Sequence, residues 1–184
     1  KNTFYEGERP LYASNDLFLE KVRFFPGESP IKESKNISVS ECEYMAKYPF
    51  WHCQNVKVEN SHFTVYSRAA IWYTQNIEML NCQIDAPKMF RSVSDLTLKD
   101  TKLNNAAECC WNCDTIVLQR VEMTGADYVF MNCHTIRAES FKLQGNYSFQ
   151  DAQNVEIHDS HFDSKDAFWN TKNVTVYNSS DIPQ

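Results

Sequence analysis

One period governs this chain. An Asn, Asp or Thr recurs at Asp16, Asn36, Asn55, Asn76, Asp95, Thr115, Thr135, Asn154 and Asn173, with successive spacings of 19 to 21 residues. One position later comes an apolar residue (Leu17, Ile37, Val56, Ile77, Leu96, Ile116, Ile136, Val155, Val174). Three positions later comes another (Leu19, Val39, Val58, Met79, Leu98, Leu118, Ala138, Ile157, Val176). Apolar side chains two apart, with polar ones between, are the signature of a strand with one buried face. A strand revisited at this period means a solenoid, in which each repeat buries its apolar face only against its neighbours.

The rest of each repeat follows the same logic. A polar residue five positions after the start (Asn60, Asn81, Asp100, Asp159, Asn178) is expected to bend the chain, because Asn and Asp tolerate left-handed backbone. Two inward slots follow, the second filled by Phe24, Tyr44, Phe63, Ile84, Leu103, Met123, Leu143 and Phe162. After a short connection, a third segment ends just before the next Asn. The spacing therefore predicts an all-β, single-domain parallel β-helix over residues 1–184, with about eight coils and three short strands per coil. Residues 1–16 are expected to cap one end. Residues 172–184 form an incomplete last coil with an open edge after Ile182, and such an edge invites pairing. A leucine-rich repeat is excluded by the missing Leu consensus. A helical repeat is excluded because period-two alternation would put apolar residues on both its faces.

Composition removes several functional classes. The net charge of −6 is carried by dispersed acidic residues, which argues against a nucleic-acid surface. No apolar run approaches the roughly 20 residues needed to span a bilayer. The chain starts at Lys1 rather than Met, which leaves room for a removed upstream segment. Its seven cysteines are an odd number and follow repeat columns: Cys42 with Cys82, and Cys53 with Cys113 and Cys133. Reduced thiols filling core slots are expected, in a cytoplasmic protein with no cofactor. Cys109-Cys110-Trp111-Asn112-Cys113 resembles a metal cluster, but three of its positions match repeat columns filled elsewhere by Ala, Phe and Thr. Strand alternation would also turn Cys109 and Cys110 to opposite sides, so no metal site is expected.

The quoted stretches "GERPLYAS", "FFPGESPIKES", "KYPFWHC", "RAAIWYT", "IDAPKMFRSV", "WNC", "GNYSFQDA" and "KDAFWNTKNVTVYNS" carry a resemblance that covers almost every coil. The chain resembles an uncharacterised bacterial family, a domain of unknown function, within the pectate-lyase-like right-handed β-helix superfamily. The resemblance implies a right-handed coil and no particular reaction. Relatives that cleave pectate bind Ca²⁺ through clustered Asp residues. No convergent Asp set is found on the outward positions here, and the short connections leave no long loops to wall a cleft.

The unusual column lies four residues before each Asn-type position. It holds Tyr12, Lys32, Trp51, Trp72, Arg91, Trp111, Met131, Gln150 and Trp169, and it should face outward. Seven and eight positions before lie charged and aromatic residues, among them Arg68, Lys88, Glu108, Asp127 and Tyr128. One expectation is a sugar-binding groove in which Trp51, Trp72, Trp111, Trp169 and Tyr128 stack on pyranose rings while Arg68, Lys88 and Arg91 bind uronate groups. In an enzyme of that kind, a polysaccharide hydrolase or lyase, Glu108 and Asp127 on neighbouring coils would be roughly 5–7 Å apart, near the spacing of a glycosidase carboxylate pair. The alternative is a non-catalytic scaffold, in which the same stripe docks another protein or a second copy of the chain.

Overall fold

In the computed structural model, which describes residues 3–181, pairing follows the repeat residue on residue. Ile77 lies opposite Val56 on one side and Leu96 on the other, and Leu96 lies opposite Ile116. The strands that begin at the Asn-type residues form one nine-stranded sheet, from Asn15–Glu20 to Lys172–Tyr177. The segments beyond the bend form a ten-stranded sheet, from Thr3–Glu8 to Ser180–Asp181. Each coil contributes to both sheets, and adjacent coils pair in parallel throughout, as in Gln75–Leu80 against Ser94–Lys99. The result is an all-β parallel solenoid of about nine coils among the described residues.

The third segment departs from expectation. Among the described residues, Phe50–Trp51, Ile71–Trp72 and Phe90–Arg91 alone pair as strands there, and a bridge from Arg91 to Trp111 extends them. In the later coils the equivalents of Phe90 are Cys110, Phe130 and Phe149, with φ of 59°, 59° and 58°. An extended strand cannot run through a left-handed residue, so these coils cross this side as hydrogen-bonded turns.

Corners are made the same way in every coil. One coil turns at Lys88, Ser92, Asp95 and Asp100, all with φ between 49° and 58°, and the same four columns are left-handed along the stack. The sequence foresees only the last of them. A left-handed L-residue costs about 1–2 kcal/mol, and the corners offset that cost by pairing between coils. Lys88, Ser92 and Asp100 donate their backbone N–H to carbonyls of Ala107, Trp111 and Gln119 one coil on, at 2.9, 2.9 and 3.0 Å. At the remaining corner the strand register steps over the Asn-type residue, and the side chains pair instead. Asn36 donates to Asp16 at 2.9 Å, Asn55 to Asn36 at 3.0 Å and Asn76 to Asn55 at 3.0 Å. The amide ladder from Asp16 to Asn76 therefore has a direction: each Asn donates to the coil before it, and it starts on an aspartate that can only accept.

Inside, like residues stack. Tyr44 lies between Phe24 and Phe63, with ring centres 4.9 and 4.6 Å away, and its buried hydroxyl has no partner among the described residues. All seven cysteines are free and buried, as their columns imply. They also do more than fill space. In one column the side chain donates to a carbonyl of the preceding coil: Ser34 to Leu11 at 3.1 Å, Cys53 to Ile31 at 3.0 Å, Thr74 to Phe50 at 2.9 Å and Cys133 to Cys110 at 2.7 Å. A hydroxyl and a thiol each carry one donor on a short stem, which is why Ser, Thr and Cys exchange at this slot. Cys109 and Cys110 both point inward, contrary to strand alternation, because the turn through left-handed Glu108 and Cys110 replaces the strand.

The ends differ from the middle. In the last coil Val176 and Tyr177 are 44% and 53% exposed. Residues 1, 2 and 182–184, including the expected edge at Ile182, lie outside the described residues.

Candidate functional site

The third side of the solenoid carries the residues singled out by composition. Trp51 pairs with Trp72, and Trp72 with Arg91, in strand register, so their side chains rise as one outward column. The Trp51 and Trp72 rings are stacked, with centres 5.2 Å apart and planes 13° from parallel. The Arg91 guanidinium continues the stack, its Cζ lying 4.4 Å from the Trp72 ring and 4.7 Å from that of Trp111. This is a run of three indoles with one guanidinium inserted, an arrangement in which the planar cation gains from both π-faces.

Each indole is also tied at its edge. The Nε1–H of Trp51 donates to the Ala69 carbonyl at 2.7 Å, that of Trp72 to the Lys88 carbonyl at 2.8 Å, and that of Trp111 to the Tyr128 carbonyl. The acceptors come from one corner column, a coil further on. The rings are therefore locked across the gap between coils, with their faces turned to one another and their edges to the outside. Beside them Tyr48 packs on Trp51 at 4.8 Å, and His52 stacks on Tyr73 at 4.8 Å.

The stripe is not continuous. Met131 and Gln150 occupy the column between Trp111 and Trp169, so Trp169 stands apart near the last coil, 59% exposed. Tyr128 sits in the corner column rather than the tryptophan column and stacks on Tyr147 at 5.0 Å. Arg68 is exposed, in the column of Lys47.

Glu108 and Asp127 lie in adjacent columns rather than one, which corrects the alignment assumed from spacing. The Glu108 N–H donates to the Asp127 carbonyl at 2.8 Å, so the neighbour stacked on Glu108 is Tyr128. Their side chains serve different partners. Glu108 faces Lys88 at 3.1 Å and Arg91 at 3.9 Å, whereas Asp127 accepts from the Asn146 N–H at 2.8 Å, one coil on. Each carboxylate is thus held by its own structural partners.

Sequence reasoning missed the pairs made by histidine. His62 Nε2 lies 2.7 Å from Asp85 Oδ2, and Asp85 also accepts from Asn104 at 2.7 Å and Gln83 at 3.0 Å. Partial burial alone would raise the Asp85 pKa. The hydrogen bonds from His62, Asn104 and Gln83, with the charge of His62, outweigh it and hold the carboxyl below its ordinary value. His158 Nε2 lies 2.6 Å from Glu156 Oε1, and this hydrogen bond lowers the Glu156 pKa. The signal for the second pair was in the sequence, since positions two apart on a strand share a face. Neither pair has a thiol to activate, because every cysteine is buried, and burial pushes the Cys53 thiol up to about 12. Among the described residues, no group of three or more His, Cys, Asp or Glu side chains is placed to hold a metal ion.

The family model described as "Protein of unknown function (DUF3737)" matches residues 1–182, and the chain belongs to that family. No curated protein matches it. Among solved structures it is similar to HetL, a pentapeptide repeat protein involved in heterocyst differentiation regulation from the cyanobacterium Nostoc sp. strain PCC 7120. The identity is 10%, over 96% of this chain and 86% of that one, with a TM-score of 0.38. It is also similar to QnrB1, a plasmid-mediated fluoroquinolone resistance protein, at 12% identity over 99% of this chain and 92% of that one, with a TM-score of 0.33. Both likenesses are loose, and neither is to a pectate-lyase-like protein.

Proposed function

We propose that this DUF3737 protein is a non-catalytic scaffold that docks another protein on the side bearing Trp51, Trp72, Arg91 and Trp111. One observation carries the reading: both faces of Trp72, and one face each of Trp51 and Trp111, are already occupied by one another and by Arg91. A sugar platform needs a free aromatic face, and Trp72 at the centre of the stack offers an edge. Rings held by a backbone hydrogen bond and a stack lose little further entropy when covered, which suits aromatic anchors at protein interfaces. Glu108 and Asp127 support the same reading, since each is engaged by a separate neighbour.

The sugar-groove expectation is the weaker one. Trp169 and Tyr128 lie outside the stack, and Lys88 and Arg91 are partly neutralised by Glu108. On the motifs quoted above we also propose that the family sits within the pectate-lyase-like superfamily. Without a cluster of Asp ligands, that kinship implies shared architecture and no lyase chemistry. We place the protein in the cytoplasm, where seven unpaired thiols stay reduced.

The test is site-specific photocrosslinking from position 73, whose Tyr is 43% exposed beside Trp51 and Trp72. A discrete protein adduct that is lost in Trp72→Ala supports docking. An adduct unchanged by Trp72→Ala, or none at all alongside saturable binding of uronate oligomers, overturns it.

A further inference from the structure

The docking side is electrically distinct from the rest of the molecule. The segments that build it in three successive coils, residues 45–54, 64–75 and 86–94, hold four cationic residues (Lys47, Arg68, Lys88, Arg91) and no carboxylate. The whole chain has a net charge of −6. Carboxylates frame the patch: Glu28 bridges to Lys47 through the backbone at one end, and Glu108 reaches Lys88 and Arg91 at the other. Within the frame the cations are under-compensated. Lys47 and Arg68 occupy one column on neighbouring coils and form no ion pair among the described residues, although stacked like charges destabilise a sheet. The middle segment, which holds Arg68, also carries exposed apolar side chains, with Val65, Tyr66 and Tyr73 exposed by 57%, 65% and 43%.

We infer that the segment docked here is an acidic peptide stretch with interspersed apolar residues, its carboxylates meeting Lys47 and Arg68. This rests on the scaffold reading above. Charge complementarity selects the occupant. Lys47 and Arg68, column neighbours about 4.8 Å apart, present adjacent positive charges along the solenoid axis, and acidic side chains of an extended partner can meet both. The molecule's overall negative charge repels an acidic chain at a distance. Capture is therefore local, and it weakens as salt screens the patch. The apolar residues among the cations favour a peptide over a uronate chain, which has nothing to place against Val65 and Tyr66.

The experiment is fluorescence anisotropy with a short labelled oligoglutamate peptide carrying interspersed leucines, on the intact protein. Saturable binding is expected, weaker at high salt. Arg68→Glu should lower the affinity at least about tenfold by reversing an exposed charge. Lys142→Glu, an exposed cation on the ten-stranded sheet, should leave it unchanged. No binding by the wild type, equal loss in Lys142→Glu, or tighter binding of a uronate oligomer overturns the inference. If the peptide fails while the crosslink from position 73 still depends on Trp72, docking stands and only the acidic class falls.

Discussion

The Arg91 guanidinium carbon lies 4.4 Å from the centre of the Trp72 ring, and Trp111 closes the sandwich from the other side. The stack therefore holds Arg91 as a structural element, one that also faces Glu108 at 3.9 Å. Arg91→Ala should cost about 1–2 kcal/mol, and Arg91→Lys a smaller part of that, because an ammonium cannot stack as a plane. Urea denaturation of the variants measures both.

Tyr44 carries the opposite lesson. Its ring completes the Phe24–Phe63 stack while its hydroxyl is buried without a partner among the described residues. Tyr44→Phe should raise the unfolding free energy by about 1 kcal/mol, since it removes an unsatisfied polar group and keeps the ring. A lower denaturation midpoint than wild type would show that the hydroxyl has a partner in solution.

The directional amide ladder makes a paired prediction. Asn55 donates to Asn36 and accepts from Asn76, whereas Asp16 only accepts from Asn36. Asn55→Asp should cost about 1 kcal/mol by setting two acceptors face to face, while Asp16→Asn should be nearly neutral. Equal effects at the two sites would mean that the ladder has no fixed direction.

How much of this was legible beforehand follows from what a periodic pattern encodes. Inward slots recur, so the stacking of Ile77, Leu96 and Ile116 could be read directly, and the outward Trp51–Trp72–Arg91–Trp111 column with it. Corners were only partly legible. Asn and Asp announce a left-handed bend, but Lys88, Ser92 and Tyr128 adopt one without any compositional sign, because pairing between coils dictates it. That hidden corner is why Glu108 and Asp127 fall in different columns and why Cys109 and Cys110 both turn inward. Ring orientation was not legible at all. A column of tryptophans reads the same whether it offers faces or edges, and the choice is made by the Ala69 and Lys88 carbonyls of the next coil.

The buried thiols set an alkaline limit. Cys53 and Cys109 are pushed up to about 12 and Cys82 to about 11 by burial, from an ordinary 9.0. Below the ordinary value both states keep their protons and stability is undiminished. Above it the unfolded chain ionises while the folded one does not, so stability falls as pH rises from about 9 towards 12. Urea midpoints should be flat from about pH 7 to 8 and lower near pH 10. Iodoacetamide should label no cysteine in the folded protein near pH 8, and all of them after unfolding.

The most direct measurement is a titration of intrinsic tryptophan emission with uronate oligomers. Trp72, covered by Trp51 on one face and Arg91 on the other, has no face for a sugar ring, so the spectrum should stay unchanged throughout. A saturable shift that disappears in Trp72→Ala would mean that the faces are open, and would return the stripe to carbohydrate binding.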